Sequence, residues 1–382
     1  MVSCVAHVKR NWLPLSETFI FNTVSAEVAN RSVVLYQYLE TNNALTWDDM
    51  VCVPFEMRIL PRIATQIQIR SRLNKYANNQ TQSYLNALRR IAPDIVHAHF
   101  GPAAVDVMLA AQQLSIPLIA AFHGYDYSSI LRETKWRVLY GRLWEIAGAV
   151  TCSGEHAKKC LVALGCPSSK ITILKCPVDT NAIEFRERVP VPKGERLTFM
   201  SVGRLVEKKG TIYSIEAMAE VVKVFPDSQL IHIGGGDLHG PLTERIAELG
   251  LMGNVSLLGA LPHASVRQHL NAGHIFLMPS VTADTGDVES QGIALQEAQA
   301  SGMPVLCSNN PGLAGGMVDG ESGYIFHERD AHSQAQAMIA LAGESTRWAD
   351  MGRAGRRFVE CEYSPAEFRR ILGELYEALS KH

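Results

Sequence analysis

The sequence predicts an α/β protein built from two doubly wound, Rossmann-like halves, and three observations carry that prediction. Short continuous apolar runs recur, each followed by a turn and a helix-like stretch, as for strands buried on both faces of a parallel sheet. The rhythm breaks at Val189–Gly194, where two prolines and a glycine fall within a short span, and then restarts. The chain has 382 residues, 47% of them hydrophobic and 19% charged, which suits two or three globular domains with sizeable cores. The expected division is residues 1–188, residues 189–362, and a terminal helix over 363–382 packing back on the first half. In open α/β sheets ligands bind outside the carboxyl ends of the strands, so the cleft between two such halves is the default site.

The strands follow in order. Asp94–Phe100 is a strand that meets Gly101 and Pro102, and an Ala/Val/Leu-rich helix runs on to Leu114. Ile116–Phe122 and Ala147–Ser153 are further strands of the first half. After the break, Leu197–Gly203 is a strand, and Ile212, Ile215, Met218 and Val222 lie on one face of the helix behind it. Gln229–Ile233, Val255–Leu258, His274–Met278 and Pro304–Ser308 continue the series. The apolar spacing of Pro365–Leu379 predicts the last helix.

Composition excludes several classes. The net charge of −2 gives no bulk case for nucleic-acid binding. The total conceals an asymmetry: residues 1–188 carry 20 Lys/Arg against 15 Asp/Glu, and residues 189–382 carry 16 against 23. No apolar run is long enough to span a membrane, and the start shows no basic-then-apolar leader. The eight cysteines form no Cys-x-x-Cys pair and no zinc-spaced cluster, so reduced thiols and a cytoplasmic location are expected.

Three motifs of the second half carry chemistry. In Gly203–Gly210, Arg204 and Lys209 sit in the turn between a strand and a helix N-terminus. That terminus offers free N–H groups and partial positive charge, so the turn suits a diphosphate. Read alone, it is equally a solvated basic loop. Gly234 and Gly235 follow a strand directly and let backbone approach a ligand, or they make a tight βα turn. The segment is neither the dinucleotide fingerprint nor a P-loop. In Met278–Val305 an acidic loop runs into a helix, with Glu289 before it and Glu297 inside it. Carboxylates accept bonds from vicinal hydroxyls, as on ribose or a sugar. A solvated acidic loop is the alternative. In the first half, His123 and Asp126 follow a strand end, where they can bind a polar substrate or handle a proton. His99 is expected beside the cleft and His97 in the packing.

These motifs, in this order, resemble glycosyltransferase family 4, with the GT-B fold of two Rossmann-like domains facing across a cleft. Leu13–Ile20 is similar to the opening of the colanic acid and exopolysaccharide branch. The pattern of Glu289, seven residues, Glu297, then Ala298-x-Ala300-x-Gly302-x-Pro304-Val305 is specific, and Gly203-Arg204-Leu205 with Lys209-Gly210 stands at a fitting distance.

The resemblance implies a retaining transfer of a hexose from a UDP- or GDP-linked sugar to a glycan or polyprenyl-linked acceptor, with no cofactor and no metal. Arg204 and Lys209 would hold the diphosphate, and Glu297 the ribose. Glu289 would lie near the transferred sugar, which N–H groups around Gln291, Gly292 and Ile293 help to orient. His123 would reach that sugar from the first domain. Ser16 would stand near the phosphates or acceptor. Gly259, Leu261 and Pro262 would border the base. Three places depart from the family pattern. Leu15-Ser16-Glu17 stands where many relatives have a glycine pair. Gln291 is inserted before Gly292. Leu313 to Gly316 replaces a Pro-Glu pair after Gly312.

Arg58, Arg62, Arg70, Arg72, Lys75, Arg89 and Arg90 lie in residues 57–93 without one acidic residue. With interleaved Ile and Leu they predict a peripheral membrane-surface contact, at the inner face of the plasma membrane, suited to a lipid-linked acceptor. An ordinary solvated basic face is the alternative. The rival activities are a nucleotide-sugar 2-epimerase of the same architecture and a non-catalytic sugar-nucleotide-binding protein.

Overall fold

A computed structural model describes residues 2–12, 18–26, 28–40, 47–53 and 81–381. The chain divides into two compact units, Met1–Cys176 with Ala366–His382, and Pro177–Pro365. The passage from one to the other thus falls at Cys176–Pro177, and Val189–Gly194 lies inside the second unit. Arg188 shows why the second unit begins early. Its buried guanidinium donates to the carbonyls of Gly273 and Leu270, each at 2.8 Å, and of Ser301 at 3.0 Å. Burial pulls its pKa down to about 10.

The first unit holds β1 (Val2–Trp12), α1 (Thr18–Val24), β2 (Ala29–Leu39), β3 (Met50–Cys52), a helix α2 over 81–91, β4 (Ile95–His99), α3 (Gly101–Gln113), β5 (Leu118–Phe122), α4 (Thr134–Ile146), β6 (Ala149–Cys152), α5 (Glu155–Ala163) and β7 (Ile171–Ile173). Its seven strands are parallel in the order β3-β2-β1-β4-β5-β6-β7. Strands β4, β5 and β6 are buried at every residue, as expected of apolar runs covered on both faces.

The second unit holds β8 (Thr198–Val202), α6 (Thr211–Val224), β9 (Gln229–Ile233), α7 (His239–Glu248), β10 (Val255–Leu257), α8 (His263–Ala272), β11 (Ile275–Met278), α9 (Ile293–Ala300), β12 (Val305–Ser308), β13 (Gly323–Phe326), α10 (Ala331–Gly343) and α11 (Trp348–Glu362). Its six parallel strands run β10-β9-β8-β11-β12-β13. On α6, Ile215 and Met218 are fully buried and Ile212 and Val222 partly so. The last helix, α12 (Pro365–Ser380), returns to the first unit, where Phe368, Leu372 and Tyr376 pack with Val2, Val5, Ile95 and Ile119.

Ser16 and most of the basic stretch fall outside the described residues. Within 81–91 the apolar residues Leu85, Leu88 and Ile91 are buried in the first unit. In this part of the stretch the expected apolar membrane face is therefore replaced by core packing, and Arg89 and Arg90 are exposed. Among the described residues, no helix is long and apolar enough to cross a membrane.

Candidate active site

In the second sheet the chain lays down β8, β9 and β10 in one direction, then returns to set β11 on the other side of β8. Such a reversal leaves a crevice at the carboxyl ends of the two diverging strands. The loops that border it are 203–210 and 279–292. Backbone bonds fix them. The Val281 N–H donates to the Lys208 carbonyl at 2.8 Å. Gly210 is left-handed at φ +62°, and a Cβ there would run into the Pro279 carbonyl. Close approach therefore requires glycine at this helix entry.

The glycines after β9 serve the same loops. Gly203 N–H donates to Ile233 O at 2.9 Å, Leu205 N–H to Gly235 O at 2.8 Å, and Gly234 N–H to Gly259 O at 2.8 Å. A Cβ on Gly234 would meet the Gly203 carbonyl. Gly234, Gly235 and Gly259 thus stitch three successive turns together. Leu261 is half-buried and Pro262 exposed, directly before α8.

Charges fill the reversal. The Lys209 ammonium pairs with Glu289 Oε2, and Lys208 Nζ lies 3.2 Å from Asp287. Glu289 is only 8% exposed. Burial pushes its carboxyl up, but the charges of Lys209 and Lys208, with hydrogen bonds from Lys209 and the Ser290 N–H, outweigh that and hold it at about 2. Glu289 is ionised throughout the neutral range. Arg204 is exposed and makes no ion pair among the described residues. Gly292, left-handed at φ +73°, opens α9, with Gln291 buried before it and Ile293 half-buried after it. Leu313, in the segment that replaces the Pro-Glu pair, fills the space where a Gly292 Cβ would lie. Glu297 on α9 is half-buried. Burial raises its pKa to about 7, against a small opposing pull from Arg267.

His232 is a residue that sequence reasoning missed. It is buried, and its Nε2 lies 2.9 Å from the Gly203 carbonyl. A carbonyl only accepts, so Nε2 carries the proton and steadies the turn that presents Arg204. Glu328, also missed, accepts from the Thr282 N–H at 3.0 Å and from Asn310 Nδ2 at 2.8 Å, clamping the acidic loop. Neither has a local signal, because each acts on a loop distant in sequence.

In the first unit the candidates have different surroundings. His123 is half-buried among the rings of Phe19 and Phe100, with centroids at 4.9 and 5.0 Å. Burial lowers its pKa to about 3, so it is neutral. Asp126 is completely buried and accepts the backbone N–H groups of Gly101 (3.0 Å), His123 (3.0 Å) and Gly124 (2.9 Å). This corrects its expected role: its oxygens fix the loop that carries His123 and are taken up by backbone. His99, expected beside a cleft, is instead 1% exposed, as is His97. Both point to the same sheet face, where His7 meets them.

Two parallel Rossmann-like sheets, each with a strand-order reversal, define the class: a GT-B protein. Anabaena HepE, solved with UDP and glucose, shares the fold at a TM-score of 0.77 and 15% identity over 98% of this chain and 100% of that one. The glycosyl transferases group 1 model matches residues 183–358, and the glycosyltransferase family 4 model matches residues 53–182. The amylovoran biosynthesis glycosyltransferase AmsK of Erwinia amylovora is 30% identical over 84% of this chain and 81% of its own. The putative colanic acid biosynthesis glycosyltransferase WcaL of Escherichia coli K12 is 29% identical over 75% and 71%. The chain belongs to this glycosyltransferase family, in the branch that includes exopolysaccharide enzymes.

Proposed function

We propose that this protein is a retaining hexosyltransferase. It moves a sugar from a UDP- or GDP-linked donor to a glycan or lipid-linked acceptor in exopolysaccharide, capsule or lipopolysaccharide synthesis. One observation carries the reading: at the reversal of the second sheet an exposed Arg204, without an ion pair among the described residues, stands on the same loop as Lys209, which is held by Glu289. HepE was solved with UDP and glucose, and the names of AmsK and WcaL place those relatives in amylovoran and colanic acid biosynthesis.

Breaking the anomeric bond leaves positive charge on the sugar and negative charge on the departing diphosphate. Preorganised cations aimed at the diphosphate lower the barrier because they need no reorganisation as charge develops. Arg204 supplies a planar fork and Lys209 a point charge. The N-terminal end of α9, around Gln291, Gly292 and Ile293, adds the partial positive charge of a helix start. Glu289, ionised, faces the developing positive charge on the sugar, and Glu297 accepts from the ribose hydroxyls. The reaction keeps the anomeric configuration by same-face attack assisted by the leaving phosphate, and needs no metal ion in the donor site. Acceptor recognition is assigned to the first unit.

The test is donor turnover. Purified protein is incubated with a panel of UDP- and GDP-sugars, with and without a lipid-extract acceptor, and nucleotide release is measured. Acceptor-dependent release of one nucleotide, abolished by Arg204→Ala, with retained anomeric configuration in the product's NMR spectrum, is expected. Release from no donor, together with no donor binding in calorimetry, overturns the reading. Isomerisation of the sugar without an acceptor replaces it with an epimerase.

A further inference from the structure

The first sheet also reverses, between β1 and β4. Parallel register sets His7 opposite His97 across that reversal. His99 lies two residues beyond His97, and strand alternation returns it to the same face. Three imidazoles therefore meet on one face of the sheet. Ring centroids are 4.6 Å apart for His97 and His99, 5.4 Å for His7 and His99, and 5.6 Å for His7 and His97. One ring nitrogen from each lies within 4.8 Å of the other two. His7 Nδ1 is 3.1 Å from His99 Nε2.

The cluster is poorly explained as packing. Each of the three is 1% exposed, and His97 Nε2 and His99 Nδ1 are buried without a hydrogen-bond partner. A buried polar nitrogen left unpaired is costly, and cores that need only volume use apolar side chains. Burial also lowers the pKa of all three, so they are neutral imidazoles with lone pairs to give.

We propose that His7, His97 and His99 form a structural binding site for one divalent transition ion of the zinc class. Neutral imidazole is a preferred ligand for zinc, nickel and copper, whereas calcium and magnesium take oxygen ligands. Zinc–nitrogen bonds of about 2.0–2.1 Å require small inward movements of rings already this close. The second shell is in place. The Tyr376 hydroxyl lies 2.8 Å from His97 Nδ1, which fixes the ring and leaves Nε2 for the ion. His123, stacked 6.1 Å from His99 and with its own Nε2 without a hydrogen-bond partner among the described residues, is a further imidazole close by. Tyr376 belongs to α12, so the ion would bind the returning helix to β1 and β4. The site stands on the first unit's own residues and does not depend on the donor chemistry proposed above.

The test uses the untagged full-length chain. Metal content is measured by plasma mass spectrometry after dialysis, and chelator-stripped protein is titrated with Co(II), whose visible bands report tetrahedral nitrogen ligation. About one zinc per chain is expected, with Co(II) bands saturating at one equivalent and melting raised by Zn(II). His97→Gln and His99→Gln should abolish the bands. Tyr376→Phe, which keeps the ring in the core, should weaken Co(II) binding about 10- to 100-fold, and the exposed His332→Gln should leave it unchanged. A chain that is metal-free as purified and shows no Co(II) bands overturns the site. So does binding that is unaltered in Tyr376→Phe. These two readouts hold even if the histidine variants fail to fold.

Discussion

The two sheets reverse their strand order in the same way, yet different side chains are gathered at the two reversals. At β8/β11 the side chains are ions: Lys208, Lys209, Asp287 and Glu289. At β1/β4 three buried imidazoles meet, beside the buried Lys9 and the Arg10–Asp106 ion pair. Two buried carboxylates condense the contrast. Among the described residues, backbone N–H groups meet the Asp126 carboxylate, and burial prevails, pushing its pKa up to about 6. Glu289 is met by two ammonium groups, which prevail over burial and hold it at about 2. Backbone dipoles satisfy the hydrogen-bonding capacity of the buried Asp126 but leave its pKa raised. Nearby ammonium groups carry the Glu289 carboxyl below its ordinary value.

The largest effect expected is at Asp126. Replacing it with Ala leaves three N–H groups without their acceptor, at about 1–3 kcal/mol each where buried, so a loss of about 4 kcal/mol in chemical denaturation is expected. Asp126→Asn, which retains one acceptor oxygen, should recover part of it. Equal losses would break the comparison by showing that charge matters at this position. Next comes Arg204→Ala, predicted to lower nucleotide release about 100- to 1,000-fold, or about 2.7–4 kcal/mol of transition-state stabilisation. Its melting temperature should not change, because the side chain is exposed and makes no ion pair among the described residues.

The two carboxylates also predict opposite pH limbs. Between its ordinary value of 3.8 and about 6, the native state holds the Asp126 proton more tightly than the unfolded chain, so stability falls as pH rises through that window. Between about 2 and the ordinary value of 4.5, the unfolded chain holds the Glu289 proton more tightly, so stability is lost as pH falls. Denaturation midpoints across this range should lose the first slope in Asp126→Asn and the second in Glu289→Gln. The smallest effect belongs to Glu297. With its pKa raised to about 7, its ionised form grows as pH rises through neutrality. Donor affinity by calorimetry should rise by up to about tenfold, and should be flat with pH in Glu297→Gln.

The crevice of the second unit was largely legible in the sequence because its signals are local. Gly203, Arg204, Lys209 and Gly210 lie within one turn, and Glu289, Gly292 and Glu297 within another. The register of Gln229–Ile233 as a strand and the start of α6 after Gly210 are likewise short-range matters of apolar run and turn chemistry. The first unit was much less legible. His7 has no neighbour in sequence to mark it, and its partners arrive from 90 or more residues away. Asp126 looked like chemistry beside His123, but three backbone donors claim it.

By itself, then, the sequence determined two parallel α/β layers, the family, and the charged residues Arg204, Lys209, Glu289 and Glu297, which we propose to meet a diphosphate and a ribose. Those follow from periodicity and from motifs that act within a few residues. Tertiary structure alone decided which charges neutralise one another, as Lys209 does Glu289 across 80 positions. It also decided that Asp126 serves the backbone, and that His7, His97, His99 and Tyr376 share one buried face, with His97 and Tyr376 279 positions apart. Strand order and helix return set those meetings, and no local pattern encodes which distant segments a sheet will place side by side.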